Sequence, residues 1–142
     1  MLVIDEYLAV RGLAGAWPSE LSDTETLVLP SSRHFRLLQR LHQPGGGQLS
    51  QLLEQLSDGG ADTIVNPHPE VLSILDPRPL LNIAAGISAA HGIGGLLNCE
   101  TLAAGLTHGR ELWFGTARNV GRLLTEVADD LDISIHVAEP DA

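Results

Sequence analysis

The chain has 142 residues, 44% of them hydrophobic, and a formal net charge of −10 from 18 acidic residues and eight arginines, with no lysine. This length suits one domain with its own apolar core, and so negative a charge counts against a dedicated DNA- or RNA-binding module, which needs a basic surface. The single cysteine, Cys99, excludes a disulfide framework and a cysteine-based metal site.

Neither a membrane span nor a secretory signal is predicted. Residues 79–99 are nearly uncharged, but polar residues and glycines interrupt them. The amino-terminal residues "MLVIDEY" have no basic segment and reach an acid at the fifth position. We therefore expect a cytoplasmic protein.

Short apolar runs alternate with amphipathic segments along the chain. Strands are predicted at "LVI" (2–4), "TLVLP" (26–30), "DTIVN" (62–66), "ELWFG" (111–115) and "ISIHV" (133–137). Helices are predicted at 6–13, 33–41, 49–57, 79–91 with Gly92 as a left-handed cap, from 98 onward with Asn98 as N-cap, and 119–131. Strands that alternate with helices imply a parallel sheet covered on both faces. The predicted fold is one α/β domain over residues 1–142, a three-layer α/β/α sandwich with a mainly parallel central sheet.

The helix at 33–41 has two sides of different character. Phe35, Leu38 and Leu41 are expected to face inward. Arg33, Arg36 and Arg40 recur at i, i+3 and i+7 on the other side. This basic stripe is either an ordinary solvated face or a contact surface for RNA phosphates.

Two acids are candidates for one site. Asp5 follows the first strand, and ligands of open parallel sheets gather at the carboxyl ends of strands. If the helix that carries Glu100 packs beside that strand, the two carboxylates would form a hard-oxygen site for Mg²⁺ or Mn²⁺. The alternatives are a turn or cap acid at Asp5 and, at Glu100, a first-turn acid favoured by the helix dipole.

Four stretches resemble a family: "LVIDEYLAV", "LVLPSSRHFRLLQRL", "AAHGIGGLLNCETLAAGLTHGRELWFGTARNVGRLL" and "ISIHVAEP". In element order they are similar to the PIN domains of toxins from bacterial toxin–antitoxin pairs. The resemblance implies a ribonuclease that uses Mg²⁺ or Mn²⁺, with Asp5 and Glu100 as catalytic metal ligands and Asn119 as a supporting polar group.

The chain departs from the family pattern at one acid. The helix at 33–41 has no carboxylate, and His34 or Arg36 stands where the family has Glu. Glu6 is expected to be a solvated first-turn acid, or else it turns inward as a substitute. Metal-assisted hydrolysis needs anionic ligands that hold the cation and place the water, so this loss matters chemically.

Two functions therefore remain open. One is a toxin-type, metal-dependent ribonuclease, for which the resemblance implies an RNA substrate, a homodimer and a cognate antitoxin-like protein. The other is a catalytically degenerate PIN-like binding or regulatory protein. An acid from another segment close to Asp5 would favour the enzyme, whereas an arginine or histidine in the cleft would favour the binding protein.

Overall fold

The computed structural model describes residues 1–21, 26–56 and 59–139. Among these residues five parallel strands form one sheet in the order β3-β2-β1-β4-β5. The strands are β1 (Leu2–Ile4), β2 (Leu27–Leu29), β3 (Ser73–Ile74), β4 (Glu111–Phe114) and β5 (Ser134–Val137). The helices are α1 (Glu6–Leu13), α2 (Ser31–His42), α3 (Gln48–Glu54), α4 (Gly60–Val65), α5 (Arg78–His91), α6 (Leu96–Thr107) and α7 (Arg122–Asp130), with a 3-10 turn at Ala117–Asn119.

Helices cover both faces of the sheet. Successive residues of a strand point to opposite faces, so each strand contributes side chains to both helical layers. Val3 and Val28 pack with α5, α6 and α7 in one apolar cluster. Ile4 and Leu29 pack with α1 to α4 in a second cluster. The predicted three-layer α/β/α architecture is confirmed.

The third strand was predicted in the wrong place. Residues 62–66 belong to α4 and its end, and β3 lies later, at Ser73–Ile74. Gly59, with φ of 85°, starts α4, and the Thr63 hydroxyl donates to the carbonyl of Gly60 at 2.6 Å. A run with three β-branched residues and one buried side chain, Ile64, is compatible with either state, so packing decides. The end predicted at residue 57 for the preceding helix lies outside the described residues.

Helix α6 starts earlier than the sequence suggests. Gly95, with φ of 87°, is its N-cap instead of Asn98. Glu100 consequently lies in the second turn, where a dipole effect no longer explains it. Gly92 ends α5 in the left-handed conformation, as predicted, with φ of 66°.

Helix α2 is rotated relative to the prediction. Phe35 is 64% exposed, whereas Arg33 and Leu37 are buried. The expected inward position is therefore wrong for Phe35, whereas Leu38 and Leu41 are partly buried and pack against the core as predicted. The buried face also includes an arginine, which the sequence pattern did not predict.

In the described part of the chain, no single helix is long and apolar enough to cross a membrane.

Candidate functional site

The candidate site lies where the strand order reverses. From the central strand β1 the chain moves through β2 and β3 on one side and later through β4 and β5 on the other. Such a reversal leaves a crevice at the carboxyl ends of the two central strands, here β1 and β4. Asp5 directly follows β1, and Gly115 directly follows β4.

Asp5 joins three segments of the site. Its Oδ1 accepts hydrogen bonds from the backbone N–H of Leu8 and from that of Gly115, both at 2.9 Å. Its Oδ2 accepts one from Asn119 Nδ2 at 2.9 Å. Asp5 therefore caps α1, as its alternative interpretation predicted, and holds the turn after β4 against it.

Glycine is required at position 115. A Cβ atom there would lie 2.8 Å from the Cβ of Tyr7 and 2.9 Å from the backbone nitrogen of Leu8. The backbone N–H reaches the Asp5 carboxylate only because this close approach is open.

The pKa of Asp5 is raised from 3.8 to about 6, chiefly by burial. The adjacent Glu6 carboxylate contributes to this rise, while Arg33 and the hydrogen bonds from Leu8 and Asn119 oppose it. Desolvation is the largest of these effects, since the residue is 1% exposed.

Glu6 is fully buried, so the expectation of a solvated acid is wrong. Its Oε1 accepts from Arg33 Nη1 at 2.8 Å and from Asn119 Nδ2 at 2.5 Å. Its Oε2 accepts from Arg36 Nη1 at 3.2 Å. Glu6 therefore does turn inward, but its carboxylate accepts hydrogen bonds from Arg33 and Arg36.

Arg33 is the buried cation of the site. It is 1% exposed, its Nε donates to Thr101 Oγ1 at 2.7 Å, and its Cζ lies 5.2 Å from the centre of the Phe114 ring. The three arginines therefore do not form one exposed stripe, and Arg33 is not accessible to RNA phosphates. Arg36 and Arg40 are half-buried.

The Asn119 amide is oriented by its neighbours. Its Oδ1 accepts from Arg36 Nη1 at 3.2 Å, which leaves Nδ2 to donate to both Asp5 and Glu6. The structure thus brings Asp5 and Asn119 together, as the sequence suggested.

The Glu100 carboxylate contacts the first turn of α2. Its carboxylate accepts from the Ser32 backbone N–H at 2.8 Å and from the hydroxyls of Ser32 and Ser31, each at 2.9 Å. The N-cap residue of α2, Pro30, has no side-chain cap bond. Glu100 supplies that cap from α6, and a buried carboxylate at a helix N-terminus is stabilised by the helix dipole.

The residues as arranged do not fit a divalent cation. Mg²⁺ and Mn²⁺ prefer several oxygen ligands that face one point. Here both carboxylates on the β1 side face the Asn119 NH₂ group, and Glu6 also contacts two guanidinium groups. Glu100 faces the serines of α2.

One feature of the sequence could have indicated that Arg33 is buried in this cluster. Arg33 precedes the buried Leu37 by four residues, so both lie on one helix face. No local spacing pairs Arg33 with Glu6, since the two are 27 residues apart.

A scan against protein-family models and searches of curated proteins and solved structures find no match to this chain. The PIN resemblance therefore rests on the residues quoted for it.

Proposed function

We propose that the chain is a PIN-like protein that does not cleave RNA and works as a binding or regulatory module. The observation that carries this proposal is the ion pair between Arg33 and Glu6, 2.8 Å long, with side-chain exposures of 1% and 0%. The Arg33 guanidinium stands beside the carboxylates of the crevice as a fixed positive charge. The Glu6 carboxylate is thus compensated from inside the protein.

A cation would enter this crevice at a high cost. Arg33 would have to separate from Glu6, and breaking a buried ion pair costs about 3–5 kcal/mol. The Asn119 amide would also have to reverse, which would turn its NH₂ group toward Arg36. These groups act instead as a polar clamp between α1, α2 and the turn after β4.

A toxin-type ribonuclease is the second proposal, and one observation favours it. Arg36 covers Glu6 from the solvent side with 32% of its side chain exposed, so it can leave without disturbing the core. Asp5, Glu6 and Asn119 would then face the crevice. In this case the substrate would be RNA, Mg²⁺ or Mn²⁺ the cofactor, and a homodimer and an antitoxin-like protein the cytoplasmic partners.

Cleavage of a mixed RNA pool distinguishes the two proposals. The purified chain is incubated with Mn²⁺, Mg²⁺ or chelator beside the isosteric variants Asp5→Asn and Glu6→Gln. We expect the same background in all samples. Metal-dependent cleavage by the wild type that both variants lose would overturn the first proposal and establish the second.

A metal titration gives an independent readout. A cation at 100 times its Kd stabilises the state that binds it by about 2.7 kcal/mol, which a thermal unfolding scan detects. We expect Mn²⁺ to leave the unfolding midpoint of the wild type and that of Asp5→Asn each unchanged. A rise in the midpoint of the wild type alone would place a cation at Asp5.

A further inference from the structure

Strand β5 forms one margin of the sheet, and among the described residues β4 is its one neighbouring strand. The Ser134 N–H donates to the carbonyl of Arg110 at 3.0 Å, and the Ala138 N–H donates to that of Phe114 at 2.8 Å. Because successive backbone groups of a strand point to opposite sides, those of Ile135 and Val137 point away from β4. The outer margin therefore presents backbone donors and acceptors to a further strand.

The β5 edge has four residues and contains neither the lysine nor the proline that commonly blocks an edge strand. Ser134 is exposed and Val137 is 44% exposed. A groove of about 340 Å³ lies beside the strand, lined by Thr125, Asp129, Asp132, Ile133, Ser134 and Ile135.

Acidic side chains dominate the surroundings of this groove. Asp129 and Asp132 line it, and the side chain of Asp130 is 69% exposed next to them. These aspartates stand in or just after the last turn of α7, where the helix dipole disfavours negative charge. One cation, Arg110, lies at the amino end of β5, and its guanidinium donates to the Leu131 carbonyl at 2.7 Å.

We propose that the outer edge of β5 docks an extended basic peptide, which adds to the sheet as a further parallel or antiparallel strand. Main-chain hydrogen bonds to Ile135 and Val137 would supply affinity, and the aspartates of the groove would select basic side chains. The same aspartates disfavour a second copy of this chain, since two such edges would bring like charges together. This docking does not depend on what the crevice at Asp5 does.

The test uses a fluorescein-labelled eight-residue peptide of alternating arginine and valine, titrated with the full chain and followed by anisotropy. One control peptide replaces arginine with glutamate. A second keeps the arginines but carries N-methyl groups on alternate backbone nitrogens, which abolishes strand pairing and preserves charge. We expect binding of the first peptide, at least tenfold weaker binding of the N-methylated one, and none of the acidic one.

Two variants locate the contact. Val137→Pro removes an outward N–H and keeps the hydrogen bonds to β4, and proline is tolerated on an edge strand. Asp129→Asn with Asp132→Asn removes charge, and asparagine tolerates the φ of 56° at position 132. We expect at least tenfold weaker binding for the first variant and a smaller salt dependence for the second.

Equal affinity for the plain and the N-methylated arginine–valine peptide would overturn the proposal. So would the absence of binding of the plain peptide at a protein concentration of 1 mM. The N-methylated peptide keeps the test valid if Val137→Pro fails to fold, because it leaves the protein unchanged. RNA cleavage tests the proposed function and peptide anisotropy tests this docking site, so the failure of one proposal is distinguishable from the failure of the other.

Discussion

Replacing Arg33 with methionine removes the buried guanidinium and leaves the Glu6 carboxylate, which is 0% exposed, without its shortest ion pair. Loss of one partner of a buried pair costs about 3–5 kcal/mol. We expect the lower end, about 3 kcal/mol, because Arg36 and Asn119 still contact Glu6. Methionine fills much of the space beside Phe114, so a cavity adds little.

The double variant Arg33→Met with Glu6→Gln isolates the ionic part of this loss. With both charges removed, position 6 no longer carries an unpaired buried carboxylate, and Asp5 loses one anionic and one cationic neighbour together. The free energy of unfolding should therefore return to within about 1 kcal/mol of the wild type. Arg36→Met is the matched control. Because its guanidinium is partly exposed and 3.2 Å from Glu6, its loss should cost less than about 1 kcal/mol.

Urea unfolding followed by tryptophan fluorescence measures these differences. With an m-value of about 1.5–2 kcal/mol/M, a loss of 3 kcal/mol lowers the urea midpoint by roughly 1.5–2 M. A midpoint for Arg33→Met within about 0.5 M of the wild type would refute the reasoning, since the pair would then not be desolvated. So would a double variant as unstable as the single one.

Three further predictions concern the same site. The pKa of Asp5 is about 6 in the folded protein and 3.8 in an unfolded chain, so the folded state binds that proton more tightly. The stability of the wild type should therefore rise by about 3 kcal/mol relative to that of Asp5→Asn as the pH falls from about 7 to below 4. Urea unfolding of both proteins across this range checks it, and a constant difference would contradict it. Glu100→Ala should lower stability by about 2 kcal/mol, because α2 loses its cap, and chemical shifts of the amides of Ser31 and Ser32 should report the change. Gly115→Ala should cost about 2–3 kcal/mol through overpacking against Tyr7; unfolding at the wild-type midpoint would show that the backbone adjusts freely.

The layer architecture and part of the site were predictable from the sequence. Alternating strands and helices require a parallel sheet, and a parallel sheet brings the residues after β1 and β4 to one edge. Asp5 and Asn119 therefore meet, 114 residues apart in sequence. Topology alone accounts for this contact.

The rest depended on long-range pairing that local patterns do not encode. The inward face of α2 follows from Arg33 meeting Glu6, and an apolar-face rule assigns such a residue to solvent. Strand β3 has two residues, too few for an alternation to be visible. The sequence alone predicts Glu100 as a first-turn acid favoured by the helix dipole. The structure places it in the second turn, because α6 begins about one turn earlier, after Gly95.

The Asp5 carboxylate links the local opening of two segments that are distant in sequence. One oxygen, Oδ1, accepts from the amide of Leu8 in the first helix and from that of Gly115 beyond the fourth strand. Both amides lose their acceptor when that carboxylate moves, so we expect fraying of the helix and release of the turn to be coupled through Asp5. Hydrogen exchange at these two amides should accordingly proceed at closely matched free energies, although 107 positions separate them along the chain.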